Sequence, residues 1–459
     1  MSHLTWVRGL KREYPHSNGC RVGCTLCGCV DLETHGDDSI IMKKNIRRWG
    51  VIGCLIVAIL SLSCRPENRK AEQEVTPIRQ DTALQTGAER TELYFPLLQG
   101  KRVALVANQT SVLGKEKIHL LDTLLKTGMT VQKVFAPEHG FRGEADAGET
   151  IRDGKDSRTG TPVVSLYGKN KKPSPALLQD VDYVVFDLQD VGARFYTYLS
   201  TLHYVMQACA ENRIPMLLLD RPNPCDTIDG PVMQKSLRSF VGMHCIPVLH
   251  GCTLGELARM INGEGWLETS DTCRLTVIPV KNWQHGQPYL LPVKPSPNLP
   301  NAQSIALYAS LCPFEATTVS VGRGTVYPFQ VVGSPDYKNE AFSFQPTALP
   351  GYEKNPMYRD KKCYGLDLRN EPAPRGFSLK YLLYFYHHAT NQDTFFTHPH
   401  FFDQLIGNTL LRQQLKAGKT EEEIRTGWQT ELQVYRELRQ RYVLYPHLFP
   451  TKTEGLPKN

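Results

Sequence analysis

Val181-Asp-Tyr-Val-Val-Phe-Asp187-Leu-Gln-Asp190-Val-Gly-Ala-Arg194-Phe-Tyr196-Thr-Tyr198 passes from an apolar run, through a polar rim, into a helical pattern spanning Phe195 to Glu211. A continuous apolar run reads as a strand buried on both faces, and such strands belong to parallel sheets covered by helices on either side. Working outward, the same unit recurs. Arg102-Val-Ala-Leu-Val-Ala107 precedes a helix at His119-Leu-Leu-Asp-Thr-Leu-Leu125, then comes Val131-Gln-Lys-Val-Phe135, and Ile214-Pro-Met-Leu-Leu-Leu-Asp220 leads to a helix at Leu254–Asn262. The expected fold is α/β, a Rossmann-like doubly wound and mostly parallel sheet. Past Pro295-Ser-Pro-Asn-Leu-Pro300 the sequence turns loop-rich, with helices expected at Phe401–Leu415 and, behind a Thr420 cap, at Glu421–Tyr442. This part reads as a second, smaller α+β domain, so the expected boundaries are 93–300 and 301–459, the smaller domain completing a cleft. Ala107-Asn-Gln-Thr-Ser-Val112 stands where a Gly-x-Gly-x-x-Gly phosphate loop would follow the first strand, so no dinucleotide or other cofactor is expected.

The 459 residues are 41% hydrophobic and 22% charged, a globular composition, and the net charge of +7 is dispersed along the chain, which argues against a nucleic-acid partner. From Met42 the order is Lys43, Lys44, Arg47, Arg48, an apolar run from Trp49 to Leu60, then Ser61-Leu-Ser-Cys64. A basic start, a short apolar core and a small-residue cleavage site make residues 42–64 a secretory signal. Leu-Ser-Cys resembles a lipobox, which implies a lipid on Cys64, a membrane anchor and a place in the cell envelope. An uncleaved anchor helix is the alternative. Residues 1–41 carry Cys20, Cys24, Cys27 and Cys29, the first three at iron–sulfur-like spacing, but an export signal follows them where a cluster-binding barrel would be needed. They are read as an upstream extension outside the functional protein. Residues 65–92 are polar and aperiodic, as a tether should be. Seven of the 13 cysteines follow Cys64, scattered and without paired spacing, so they read as small buried hydrophobes with room for one bridge.

In open α/β sheets ligands bind beyond the carboxyl ends of the strands. Three polar segments fall there: Pro137-Glu138-His139-Gly140-Phe-Arg142-Gly143-Glu144, Asp187 to Tyr198, and Asp220-Arg221-Pro-Asn223. Glycosidic cleavage needs paired carboxyls, one protonating the leaving oxygen and one ionised at the oxocarbenium-like centre. Glu138, His139, Glu144, Asp187 and Asp190 are the catalytic candidates. Tyr196 and Tyr198 offer faces to a sugar ring, and Arg142, Arg194 or Arg323 suits an anionic substrate, since guanidinium binds carboxylate with two parallel hydrogen bonds. Each also has a structural reading: the aspartates as helix caps, the arginines as partners of neighbouring acids.

These segments, with His250-Gly-Cys252-Thr-Leu-Gly-Glu-Leu-Ala258, Pro295-Ser-Pro-Asn298-Leu-Pro300, Ser320-Val-Gly-Arg323-Gly-Thr325 and Arg441-Tyr-Val-Leu-Tyr445, resemble the NamZ family of exo-β-N-acetylmuramidases over roughly residues 95 to 446. The resemblance implies a glycoside hydrolase that removes N-acetylmuramic acid from the non-reducing end of peptidoglycan fragments, and it places Glu138 first among the catalytic candidates. Asp220, Arg221, Asn223, His250, Asn298, Glu315 and Arg323 are the further candidate substrate contacts. The sequence departs from the family's usual residues at Cys252, where Met is commoner, and at Ala316, where Gly is expected. Two other readings stay open. A metal-dependent amidase or deacetylase would use Glu138, His139, Asp187, Asp190 and His250 as ligands, although no HExxH-like spacing supports it. A wall-binding lipoprotein would hold muropeptides in the same rim without cleaving them.

Overall fold

The computed structural model describes residues 83–142, 153–337 and 341–448. Cys64, the export signal, the first four cysteines and Glu144 lie outside them. Seven strands form one sheet: β1 (Arg102–Ala107), β2 (Thr130–Ala136), β3 (Gly154–Lys155), β4 (Pro162–Ser165), β5 (Tyr183–Asp187), β6 (Met216–Leu219) and β7 (Leu275–Ile278). Their spatial order is β7-β6-β5-β1-β2-β4-β3, and every pair is parallel except β3 with β4. Without that antiparallel edge the order is the doubly wound one, with β1 central and the chain winding first to one side, then to the other.

Side chains alternate between the two faces of each strand. Val103, Leu105 and Ala107 of β1 pack with Leu120, Leu121 and Leu124 beneath the helices Thr91–Leu98 and Leu120–Lys126. Ala104 and Val106 face the opposite layer, where Leu202, Met206 and Leu257 come from the helices Tyr198–Glu211 and Leu254–Gly263. That second core is continuous with Ile305, Phe314, Phe385, Phe402 and Leu432, so no gap in the packing marks residue 300. The smaller C-terminal domain holds a three-stranded antiparallel sheet, Val331–Ser334 beside Cys363–Asp367 beside Ser343–Phe344, surrounded by helices.

Three features differ from the sequence reading. The strands Pro162–Ser165 and Leu275–Ile278 flank the four expected ones. The late helices are each broken, into Pro399–Ile406 and Leu410–Lys416, and into Glu421–Thr426 and Gln429–Gln440. All seven cysteines after Cys64 are free thiols, so the one bridge allowed by the sequence does not form.

Candidate active site

A cavity of about 370 Å³ opens where the carboxyl ends of β2, β4 and β5 meet the C-terminal domain. Glu138 and His139 follow β2, Tyr167 follows β4, and Tyr196 and Thr197 lie between β5 and the helix at Tyr198; Asn298, Glu315 and Arg323 line the same cavity from later segments.

The backbone turns sharply at Glu138. Pro137 removes one rotational freedom, Gly140 N–H donates to Pro137 O at 3.1 Å, and His139 and Gly140 are both left-handed, with φ of 71° and 77°. A left-handed residue other than glycine is costly and collects at functional sites. The turn brings the Glu138 carboxyl to the start of the Tyr198 helix, where Thr197 Oγ1 donates to Oε2 at 2.6 Å. Burial raises the pKa of Tyr167, and the charge of Glu138 and a hydrogen bond to it raise it further. A hydroxyl can both donate and accept, so Thr197 and Tyr167 can serve Glu138 in either protonation state.

Arg323 Nε donates to Glu315 Oε1 at 2.8 Å. Burial alone would lower the pKa of Arg323, but the Glu315 carboxylate more than offsets it, so the guanidinium is firmly charged. Its Nη1 is buried without a hydrogen-bond partner. An acid, hydroxyls and a cation with a spare donor, gathered in one cavity, form a site for an anionic, hydroxyl-rich molecule.

A family model for the N-terminal part of the exo-β-N-acetylmuramidase NamZ matches residues 103–303, and one for its C-terminal part matches residues 306–445. The chain belongs to the NamZ exo-β-N-acetylmuramidase family. It is 36% identical over 374 residues to the peptidoglycan β-N-acetylmuramidase NamZ of Bacillus subtilis strain 168, covering 77% of this chain and 89% of that protein. Two crystal structures of DUF1343 family proteins from Bacteroides fragilis NCTC 9343 are similar. One has 44% identity and a TM-score of 0.73, covering 80% of this chain and 99% of that one. The other has 30% identity and a TM-score of 0.68, covering 79% and 99%.

In this member of the NamZ family, the cavity gathers Glu138, His139, Tyr196, Asn298, Glu315 and Arg323 from the sequence-derived candidates. The others that are described lie elsewhere. Asp187 is fully buried, accepting from Arg221 Nε at 2.6 Å and Nη2 at 2.9 Å, so both are a structural pair rather than catalyst and substrate contact. Asp190 accepts from Gly192 N–H at 2.7 Å and faces His250 Nε2 at 3.3 Å, while His250 Nδ1 accepts from Cys252 N–H; the three tie the strand ends together under the surface. Asp220 accepts from Thr253 Oγ1 at 2.6 Å and Gly255 N–H at 2.8 Å, a helix-capping role. Asn223 donates to Cys252 O.

Of the three arginines offered for an anionic substrate, Arg323 lines the cavity and the other two are engaged elsewhere. Arg194 is fully buried and donates to the carbonyls of Pro231, Ile246 and Leu405 at 3.0, 2.8 and 2.7 Å, and burial pushes its pKa down to about 9. Arg142 grips Asp156 with two bonds of 3.0 and 2.9 Å outside the cavity. Tyr198 is buried behind Tyr196, taking a 2.6 Å bond from Asn108 Nδ2 and donating to Pro295 O. Among the described residues no group of three or more His, Cys, Asp or Glu side chains is placed to hold a metal ion.

Sequence reasoning missed Tyr167, Thr197, Phe240, Glu353 and Phe401. Thr197 stood inside the Tyr196-Thr-Tyr198 run and could have been taken as a hydroxyl partner. Tyr167 follows a four-residue strand that was not recognised, and Glu353 and Phe401 reach the cavity only through tertiary packing.

Proposed function

We propose that this cavity hydrolyses the glycosidic bond of terminal, non-reducing N-acetylmuramic acid in peptidoglycan fragments. The observation that carries the reading is a single cavity lined both by Glu138, braced by a hydroxyl, and by the partly unsatisfied Arg323. Glu138 gives its proton to the leaving oxygen as the bond to the anomeric carbon breaks, and water completes the sugar. The second carboxylate comes from Glu315 or Glu353, which share the cavity, and not from Asp187 or Asp190, which do not. Muramic acid differs from glucosamine by a lactyl carboxylate, and the spare Nη1 of Arg323 is the donor suited to it. The family membership and the relative's printed activity support the same substrate class. Mass spectrometry of products from a defined muramyl-glucosaminyl oligomer tests it. Release of free N-acetylmuramic acid and a shortened oligomer is expected, also after exhaustive EDTA treatment; an intact oligomer would leave only a binding role, and loss with EDTA a metal-dependent one.

The lipid anchor belongs to the same proposal. The basic–apolar–Leu-Ser-Cys order supports acylation of Cys64 and a cell-envelope location beside the wall. Metabolic palmitate should label the full chain and not Cys64→Ala; equal labelling would dispose of the anchor.

A further inference from the structure

Asn298 is the third residue of a turn closed by Leu299 N–H on Ser296 O at 3.1 Å, and its own N–H donates to Ser296 Oγ at 3.1 Å. Its Nδ2 donates to Tyr352 O at 3.0 Å. That contact fixes the amide, because the flipped form would set two carbonyl oxygens face to face. Asn298 is 2% exposed, it lines the cavity, and its Oδ1 has no hydrogen-bond partner. Buried acceptors are almost always matched, and leaving one unmatched is costly, so a fold that keeps one against a cavity wall expects its donor from a ligand. We propose that Asn298 determines specificity by accepting the N–H of the acetamido group at carbon 2 of the sugar. This rests on the muramidase reading and deepens it. The amide N–H is a donor only, whereas the sugar's hydroxyls can turn and find other partners, so the acetamido group is the one that a rigid acceptor selects best.

The test compares two 4-nitrophenyl glycosides of the 3-O-lactyl sugar, one with the natural N-acetyl group and one with an O-acetyl ester in its place. The ester keeps the shape and the carbonyl but has no N–H. Wild-type enzyme should favour the amide in kcat/KM by about ten- to a hundredfold, the scale of one buried hydrogen bond. Asn298→Ala should lose that preference, its kcat/KM values for the amide and the ester converging to within about threefold of each other. Asn298→Asp keeps an acceptor, so it should retain the preference even if the lost Tyr352 contact lowers its melting temperature. An alanine variant that keeps the preference, or an aspartate variant that is folded and loses it, overturns the role of Asn298. Wild-type enzyme hydrolysing neither glycoside would instead overturn the muramidase reading beneath it.

Discussion

At the scale of single residues, Asp220 shows what a rim acid becomes when it is buried. Burial raises its pKa from 3.8 to about 6 against the opposing hydrogen bonds from Thr253, Tyr445 and Gly255. A carboxyl raised in this way contributes stability that is complete below its unfolded value and lost as pH rises through the folded one. The gap of roughly 2 on the pH scale corresponds to about 3 kcal/mol. Relative to Asp220→Asn, the wild-type protein should therefore gain up to about 3 kcal/mol in urea unfolding between pH 7 and pH 4. A difference independent of pH would refute the assignment. Glu138 was legible in the sequence because Pro137 and Gly140 frame it beside a strand end. Asp187 looked equally good, and what removes it is Arg221, which pairs with it from the end of the next strand, a tertiary fact no local pattern encodes.

At the scale of elements, the strands were readable from continuous apolar runs, and the breaks in the late helices were not. The helix Pro399–Ile406 stops because Gly407 is left-handed, with φ of 92°, and a Cβ there would lie 2.7 Å from Arg194 Nη2. The same arginine donates to Leu405 O in the last turn, so its charge meets the negative end of the helix. Arg194 thus fastens a cavity-lining helix, bearing Phe401 and Leu405, to the β5 side of the sheet. Arg194→Met keeps much of the bulk but strands three carbonyls, and a loss of about 3 kcal/mol or more is expected in urea unfolding. If Arg194 bound substrate instead, the variant would lose muramic acid preference with its stability unchanged.

At the scale of the whole molecule, the doubly wound sheet could be read because each unit is local: an apolar run, a polar rim, a helix. The cavity could be read only on one side. Glu138 stands at the end of its strand, but Asn298, Glu315, Glu353 and Arg323 come from segments more than 150 residues later, joined to it by the continuous core. In the proposed reaction this shared cavity does the chemistry and Glu138 supplies the proton. This is tested most directly by turnover of Glu138→Gln on the natural muramyl-glucosaminyl disaccharide, with muramyl-ligand affinity measured on the same preparation. Gln keeps the shape and the contact with Thr197 but has no acidic proton. The variant should bind as the wild type does and lose about two to four decades of turnover, with a smaller loss on a nitrophenyl glycoside whose leaving group needs no proton. A Glu138→Gln enzyme that retains more than about a tenth of the wild-type rate on the disaccharide would contradict the account.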